Sequence, residues 1–286
     1  MAEILASLVM KLRKMSGQGM MDCKKALEEA SGDIEEAMVI LRKKGLAVLA
    51  RRAERETTEG VVVGVEGDGW ASLATVCCET DFVVRSDPFR GLVDAIEDYI
   101  TACPSNQGPK NILETSVNGK KYSDIITEAV SKTGEKLQVC DYEKYVLSGP
   151  GLIGTYIHFN GKVGTMVEIE TSDEAIAAAD ELKRTAADIA MHITATKPLA
   201  LDRDGVSSKI IEQERAIFAE QVKNKPANIV DKIVDGKMKR FFAENCLIEQ
   251  QFVKDDSKTV LQVLEEAAKA AGGTAKIKRF VRFEVG

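Results

Sequence analysis

The stretch VVVGVEGDGWASLATVCCETDFV, residues 61–83, decides the fold class of this chain of 286 residues. Two apolar runs flank the Gly-Asp-Gly sequence at 67–69, which is typical of a tight turn, so the stretch predicts a β-hairpin. Side chains alternate between the two faces of a strand, and Cys77 and Cys78 are therefore expected to point to opposite sides of the sheet. Two buried, reduced thiols are expected here, because one metal ion cannot easily bind both.

A phenylalanine in a polar turn follows the second predicted strand. Asp81 and Phe82 stand side by side where the chain should turn towards solvent. A phenylalanine at such a place is either folded back under the domain or held out for another molecule to bury. From these residues alone, we expect the folded-back conformation.

Three short helices are predicted within the first 45 residues, because apolar residues recur there at helical spacing. Asp33 is the expected N-cap of the third helix, and Glu36 completes a capping-box pattern. Gly45 is the expected end of that helix. The charged segment 42–55 is interpreted as a solvated helical linker rather than a basic patch for phosphates, because acidic residues follow at once.

Helices and strands alternate irregularly after the first hairpin. The pattern predicts, in order, helices at about 87–102 and 123–131, a strand at 136–147, a hairpin turning at Asn160-Gly161, a helix at about 173–194, two helices between 198 and 242, and a final helix followed by a strand. Residues 104–110 are predicted to be a loop. This order is not a regular βαβ repeat, so the fold class is predicted to be α+β with mainly antiparallel strands.

The two helices between 198 and 242 are joined by the short polar sequence KNKP at 223–226 and are expected to form an antiparallel hairpin. Each helix has an apolar stripe and only one other helix to cover it. The hairpin is therefore expected either to pack on the core or to pair with a second copy of the chain.

The composition disfavours several classes of function. The net charge is −6 and aromatic residues make up only 5% of the chain, which argues against nucleic acid as the principal partner. No segment reaches about 18 consecutive apolar residues and no signal peptide is recognised, so no membrane contact is expected and a cytoplasmic location is predicted. Two histidines and six cysteines without a C-x-x-C pair give few ligands, so neither a metal nor another cofactor is expected.

Two sequence motifs suggest catalysis, but the residues and predicted elements around them do not support it. Residues 149–154 match G-x-G-x-x-G, but a strand rather than a helix is predicted to follow, so no helix N-terminus is available for a pyrophosphate. Asp188 and His192 lie four residues apart on one helix face, as a general base and its orienting acid would. No nucleophile accompanies them, and His192 is expected to be structural. The chain is therefore predicted not to be an enzyme.

Met20 and Met21 are adjacent on the second predicted helix and point about 100° apart around its axis. A narrow inward stripe holds one methionine more easily than two, so one of them is expected to be exposed. An exposed methionine is an adaptable contact for another protein. A core or rim position for both is the alternative.

Four stretches resemble the elongation factor Ts family of bacteria and organelles: GQGMMDCKKALEEASGDIEEAMVILRKKG at 17–45, CETDFV at 78–83, MHITATKP at 191–198 and IKRFVRFEVG at 277–286. The resemblance spans essentially the whole chain. It implies a guanine-nucleotide exchange factor that binds elongation factor Tu with GDP, disturbs its magnesium and phosphate site, and promotes GDP release so that GTP can bind during translation elongation.

The resemblance also implies a division of the chain into an N-terminal three-helix, UBA-like module, a two-part core with antiparallel sheets and helices, a protruding antiparallel coiled-coil hairpin and a short C-terminal module. The boundaries are 1–55 for the N-terminal module and its linker, 56–148 for the first part of the core, 149–197 plus 239–270 for its second part, 198–238 for the hairpin and 271–286 for the C-terminal module.

Site residues follow where this sequence matches the family's motifs. The motif linked to displacing the magnesium ion of the GTPase is Thr80, Asp81, Phe82 and Val83, and it changes the expectation for Phe82 to a side chain held out as a wedge. Positions matching the contacts of the N-terminal module are Arg13, Met20, Met21 and Lys24. Core contacts would be His158, Val253 and Lys254, where Lys254 departs from the methionine that can occur in relatives. The hairpin would contact the GTPase or a second copy, giving a homodimer or a 2:2 complex.

Three alternatives of other classes remain at this point. A small-molecule enzyme would need a perturbed acid or nucleophile in a cleft. An adaptor would bind through residues 1–45 alone. RNA binding through residues 42–55 would depend steeply on salt concentration.

Overall fold

The structure, a computed structural model, describes residues 4–223 and 225–286, and for residues 227 and 228 it describes the backbone alone. Residues 1–3 of the predicted N-terminal module and residue 224 of the predicted turn at 223–226 lie outside the described residues. The helices are α1 (Ala6–Ser16), α2 (Met20–Glu29), α3 (Ile34–Arg51), α4 (Asp81–Val84), α5 (Asp87–Ala102), α6 (Pro109–Glu114), α7 (Tyr122–Thr133), α8 (Glu174–Ala178), α9 (Asp180–Thr196), α10 (Ser208–Gln221), α11 (Ala227–Asn245) and α12 (Val260–Ala270), with a 3₁₀ turn at Leu247–Glu249.

The strands form two three-stranded antiparallel sheets and two small hairpins. They are β1 (Glu59–Gly67), β2 (Trp70–Cys78), β3 (Ser116–Val117), β4 (Lys120–Lys121), β5 (Leu137–Val146), β6 (Gly151–Ile157), β7 (Val163–Thr171), β8 (Gln251–Phe252), β9 (Asp255–Thr259) and β10 (Ala275–Glu284). The first sheet has the order β1-β2-β5 and the second the order β10-β7-β6. These antiparallel sheets, together with the helices, confirm the predicted α+β class.

The two sheets face each other, and helices cover their outer faces. The cluster between the sheets contains Leu73 and Cys77 from the first sheet and Met166 from the second. Helices α5 and α7 cover the outer face of the first sheet, and α9 and α12 cover that of the second. Cys78 belongs to the outer cluster of the first sheet, which confirms that the two adjacent cysteines point to opposite faces.

The N-terminal helices α1 to α3 surround a small apolar cluster of their own. Asp33 caps α3 as predicted, because its Oδ1 accepts a hydrogen bond from the Glu36 amide at 3.0 Å. The prediction that α3 ends at Gly45 was wrong, since the helix continues to Arg51. A Cβ at Gly45 would lie 2.4 Å from the carbonyl oxygen of Thr127, so this glycine allows α3 and α7 to approach closely.

The segments around the predicted linker and loop are more ordered than the sequence indicated. Residues 42–51 belong to α3, and Val48 is buried in the first core cluster, so this part of the predicted linker is packed on the core. The predicted loop at 104–110 contains the start of α6 at Pro109, where the first turn of a helix tolerates proline. The β3–β4 hairpin was not predicted.

Helices α10 and α11 form the predicted hairpin and pack on each other through Val222, Val234 and Met238. A second cluster at the base contains Val206 and Cys246. No residue of α10 is fully buried. Strand β10, within the predicted C-terminal module, is an edge strand of the second sheet. The five domain boundaries stay predictions.

Candidate protein-interaction surface

The segment 80–84, here called the Phe82 turn, leaves the end of β2 as a single turn of helix, α4. The Phe82 side chain is 80% exposed, one of the most exposed apolar side chains among the described residues. The ring is therefore held out and not folded back. An exposed phenylalanine forgoes the roughly 1.5–3 kcal/mol that burial of such a side chain contributes, so its position calls for a partner.

Hydrogen bonds from a distant segment fix the start of the Phe82 turn. The Thr80 amide donates to Oε2 of Glu135 at 3.1 Å, and the Thr80 hydroxyl donates to Oε1 of the same residue at 2.8 Å. Glu79 accepts from the Lys136 amide at 2.7 Å and from Arg52 at 2.6 Å. Burial raises the pKa of Glu79, but these donors more than offset it and hold that pKa below its usual value.

The other residues of the Phe82 turn anchor it from below and from the side. Val83 is buried in the outer cluster of the first sheet. Asp81 is half-buried, and its Oδ2 accepts from Arg85 at 3.0 Å. The Ser86 hydroxyl donates to the Val83 carbonyl at 2.7 Å. The turn thus presents Phe82 and the edge of Asp81, while Thr80 and Val83 serve to position them.

A second exposed phenylalanine lies on the turn between β6 and β7, residues 158–162, here called the Phe159 turn. Phe159 is 91% exposed, and its ring centroid lies 4.3 Å from that of His158. The Tyr156 hydroxyl in turn lies 3.3 Å from Nδ1 of His158. The predicted turn at Asn160-Gly161 is confirmed, and Gly161 has the positive φ of 70° that favours glycine. The family motif indicated His158 but not Phe159, and the one sequence signal for Phe159 is an aromatic residue directly before Asn160-Gly161.

The two turns adjoin the same end of β1. The Gly161 carbonyl accepts from the Val62 amide at 2.7 Å, and Nζ of Lys162 donates to Oε2 of Glu59 at 2.8 Å. Glu59 is paired in register with Cys78, two residues before the Phe82 turn begins. The structure therefore brings the predicted Phe82 motif and the predicted His158 contact to one end of the core.

The predicted contacts of the N-terminal module all lie on its surface. Arg13 and Lys24 are exposed, and Lys24 forms a weak pair with Glu28 at 3.8 Å. Met20 is 41% exposed and Met21 is 63% exposed, so the predicted exposure of one methionine is confirmed and the second is exposed as well. The inward stripe of α2 consists of Cys23, Ala26 and Leu27.

The third predicted contact, Val253 and Lys254, lies on the turn between β8 and β9. Val253 is 46% exposed, and Lys254 pairs with Asp188 at 2.7 Å. The Val253 amide donates to Nδ1 of buried His192 at 3.2 Å, while Nε2 of His192 lies 2.9 Å from Oε1 of Gln250. Burial lowers the pKa of His192. His192 is thus a neutral side chain that positions this turn, and Asp188 is engaged by Lys254 rather than by His192.

The other motifs give no site in the described part of the chain. The G-x-G-x-x-G match at 149–154 runs into strand β6, so no helix begins there. Among residues 4–223 and 225–286, no three His, Cys, Asp or Glu side chains are grouped as metal ligands would be. Within the same residues, no helix has the length and apolar character needed to cross a membrane.

Comparison with known proteins identifies the family. A family model described as elongation factor TS matches residues 79–286, which begin immediately before the Phe82 turn. The chain belongs to the elongation factor Ts family. It is 41% identical over 287 residues to the elongation factor Ts of a Nitratiruptor species, a match that covers 99% of this chain and 93% of the relative.

Two further relatives agree in name and extent. The chain is 40% identical over 289 residues to the elongation factor Ts of Clostridium kluyveri, covering 99% of this chain and 93% of that one. It is 40% identical over 297 residues to the elongation factor Ts of Nautilia profundicola, covering 100% and 94%. Membership in this family gives the chain a role in translation elongation.

Proposed function

We propose that this chain is a guanine-nucleotide exchange factor for elongation factor Tu. It binds elongation factor Tu with GDP, disturbs the magnesium and phosphate site and promotes GDP release, so that GTP can bind. The observation that carries the proposal is the Phe82 ring, 80% exposed on a turn that Glu135 and Val83 hold in place. Family membership supplies the choice of partner. The cytoplasm, where translation elongation takes place, is the proposed location.

An exchange factor of this kind needs no bond-making group of its own. A GTPase holds its nucleotide through a phosphate loop and a magnesium ion that bridges the phosphates. A factor that binds the nucleotide-free form more tightly weakens nucleotide binding by the same ratio, because the coupling between two ligands is reciprocal. A differential affinity of about 5.5 kcal/mol corresponds to roughly 10⁴-fold. We therefore propose that the chain acts by binding and not as a catalyst of covalent chemistry.

Phe82 supplies a large part of that differential in the proposed mechanism. If the ring enters between two helices of the GTPase, its burial contributes roughly 1.5–3 kcal/mol only in the opened state. The fixed backbone of the Phe82 turn reduces the entropy lost when the ring is ordered against the partner. Asp81 brings negative charge to the region where the GTPase needs its metal, and Arg85 restrains that carboxylate.

The remaining surfaces broaden the contact. His158 with the adjacent Phe159, and Val253 with Lys254, extend it along the core, and Arg13, Met20, Met21 and Lys24 extend it through the N-terminal module. The hairpin of α10 and α11 would then bind either the GTPase or a second copy of the chain. Sedimentation of the chain alone and of the mixture distinguishes a homodimer or a 2:2 complex from a 1:1 complex.

Release of fluorescent GDP from elongation factor Tu, in the presence of excess unlabelled GDP, tests the proposal. Wild-type protein should accelerate the release, Phe82→Ala should accelerate it much less, and Val146→Ala should match wild type. Val146 is a suitable control because it is an exposed apolar residue at the end of β5 opposite to the end that pairs with Cys78, next to the Phe82 turn. Absence of acceleration by the wild type with its cognate elongation factor Tu would refute the proposal.

A further inference from the structure

Strand β10 is an open edge of the second sheet, since the order of that sheet is β10-β7-β6. The Val285 amide, just after β10, donates to the carbonyl of Lys162, just before β7, at 2.9 Å. Successive residues of an antiparallel strand point their amides and carbonyls alternately to its two sides. Val281 therefore faces β7, as Val285 does. The backbone groups of Phe280 and Arg282 point away from the sheet.

A groove lies along this open edge and is here called the β10 groove. Its volume is about 590 Å³, with residues 278–282 on one side and residues 197–201 on the other. The backbone of the second wall is engaged on its far side, because the Leu199 amide donates to the Asn245 carbonyl at 2.8 Å. Within the described part of the chain, the two outward residues of β10 have no hydrogen-bond partner for their backbone groups. The groove thus presents the free donors and acceptors of a strand.

The charge along the β10 groove is positive, although the chain as a whole has a net charge of −6. None of the residues that line it is acidic. The lysines and arginines on its two walls and at the start of β10 form ion pairs with only three carboxylates. The cations are Lys197, Lys276, Lys278, Arg279 and Arg282, and the carboxylates are Glu168, Glu170 and Glu284. Two positive charges are therefore in excess in this network.

These features select the kind of molecule that fits the groove. An extended peptide satisfies the free backbone groups, because it can add to the sheet as a further strand. The excess positive charge favours acidic side chains in that peptide.

A second copy of this chain fits the groove less well. Pairing of β10 with itself would bring four cations of each copy close to those of the other, and like charges directly opposite destabilise a sheet. The lysines and the register shift between Ile277 and Arg279 are devices that keep such edges from pairing with each other. The same lysines and arginines attract an acidic strand.

We propose that the β10 groove binds an acidic, extended segment of another protein, which adds to the second sheet as a fourth strand. The segment pairs through its backbone with Phe280 and Arg282, and its acidic side chains lie beside Arg282 and Lys197. Leu199, 48% exposed on the opposite wall, contacts an apolar side chain of the segment. A strand rises about 3.3 Å per residue, so residues 278–282 give room for about five residues.

The inference goes beyond the proposed exchange function. None of the residues proposed above to contact elongation factor Tu lines the β10 groove. Loss of either activity in a variant can therefore be measured without the other.

The test uses the full chain and a fluorescent synthetic peptide of about eight residues, long enough to span the groove, in which glutamate alternates with valine. Fluorescence anisotropy measures its binding. We expect saturable binding of this peptide. A version with lysine in place of glutamate should not bind, and neither should a version with N-methylated amides, which keeps its charge but cannot donate hydrogen bonds to the edge.

Amide hydrogen exchange, followed by NMR, locates the bound peptide. The amides of Phe280 and Arg282 should become protected, whereas those of Val281 and Phe283, which already face β7, should change little. Peptide binding that leaves the first two amides unprotected would overturn the proposal. Equal binding of single-stranded RNA, again without protection of these amides, would show a general site for polyanions and would overturn it as well.

A double variant, Lys197→Gln with Arg282→Gln, tests the charge of the groove. It should weaken peptide binding by about 2- to 30-fold, the range expected for two opposite-charge pairs between neighbouring strands. Lys197→Gln alone, at an exposed position, should weaken binding in the same direction with less risk to the fold. Circular dichroism of each variant checks that the fold is kept.

The matched control is Lys11→Gln with Lys110→Gln, which removes the same charge from exposed positions on α1 and α6. This variant should bind the peptide as the wild type does. Equal binding by the two double variants would contradict the proposal. So would protection of the outward β10 amides in the chain alone that is lost on dilution, because a second copy would then occupy the groove.

Discussion

The Phe82 turn and the Phe159 turn present similar side chains at one end of the molecule but support them differently. Phe82 stands on a turn of helix whose backbone and Thr80 side chain are bound by Glu135, 55 residues away in sequence. Phe159 stands on the five-residue turn between β6 and β7, and the His158 ring is its aromatic neighbour. Both turns have hydrogen bonds to distant segments, but Val83 beside Phe82 is buried in the core, whereas neither chain neighbour of Phe159 is buried.

This difference determines how much of the burial energy of each ring becomes binding energy. Ordering a loop or a side chain on binding costs part of the free energy gained from contact, and a ring on a rigid support avoids part of that cost. Phe82 should therefore contribute more to binding elongation factor Tu than Phe159, although Phe159 is the more exposed of the two. Substitutions of each ring rank the two turns, and substitution of Glu135 tests the support itself.

Phe82→Ala should have the largest effect. Loss of roughly 1.5–3 kcal/mol of burial in the opened state slows factor-stimulated GDP release by about 10- to 150-fold. Stopped-flow fluorescence of labelled GDP measures the rate. The thermal unfolding of the variant should match the wild type, because the ring makes little contact with its own chain. A loss below about twofold would remove Phe82 from the centre of the mechanism.

Glu135→Ala should have the next largest effect, because it weakens the support of the Phe82 turn and not because Glu135 contacts the partner. It removes both hydrogen bonds to Thr80, which together contribute roughly 1–3 kcal/mol. Because Glu135 acts only through the position of the ring, we expect release to slow by at least about fivefold, but by less than with Phe82→Ala, in the same stopped-flow assay.

The double variant Glu135→Ala with Phe82→Ala gives the sharper form of this test. If Glu135 acts by positioning Phe82, GDP release with the double variant should be little slower than with Phe82→Ala alone. Additive losses in the two variants would show that Glu135 has a separate role.

Phe159→Ala should slow release by less, about two- to fivefold, since its less supported ring pays an entropic cost on binding. His158→Ala should give a loss of similar size by removing the ring that packs against Phe159 at a tilt of 51°. An effect of Phe159→Ala larger than that of Phe82→Ala, measured in the same assay, would reverse the ranking of the two turns.

The smallest effect is predicted for His192. This side chain positions the turn between β8 and β9, which is separate from the Phe82 turn and the Phe159 turn. Burial lowers the pKa of the folded His192 below 6.5, so the unfolded chain binds its proton first as the pH falls. The contribution of His192 to the free energy of unfolding is therefore complete above pH 6.5 and declines as the pH falls below it. Urea unfolding between about pH 7.5 and 5 should show a shallower decline for His192→Gln than for the wild type, and identical slopes would contradict this role.

Local patterns predicted the features that depend on neighbouring residues. The first hairpin, the Asp33 cap and the opposite orientations of Cys77 and Cys78 follow from turn chemistry and the alternation of a strand, and the structure confirms each. The turn at Asn160-Gly161 follows in the same way from its glycine.

Features set by distant contacts could not be obtained in this way. A glycine such as Gly45 is typical of a helix end, yet its role here is to leave room for the Thr127 carbonyl of α7. The exposure of both Met20 and Met21, where one was predicted, goes with an inward face of α2 that Cys23, Ala26 and Leu27 fill. For Phe82, spacing favoured the folded-back ring, and only the resemblance pointed outward. The support from Glu135 joins residues far apart in sequence, which no local pattern contains.

The central claim is that Phe82 favours the nucleotide-free form of elongation factor Tu over its GDP-bound form. Isothermal titration calorimetry of the wild type and of Phe82→Ala against both forms measures this directly. The account predicts that the wild type binds the nucleotide-free form more tightly, and that Phe82→Ala loses more affinity for that form than for the GDP-bound one. Equal affinity of the wild type for the two forms would contradict the account.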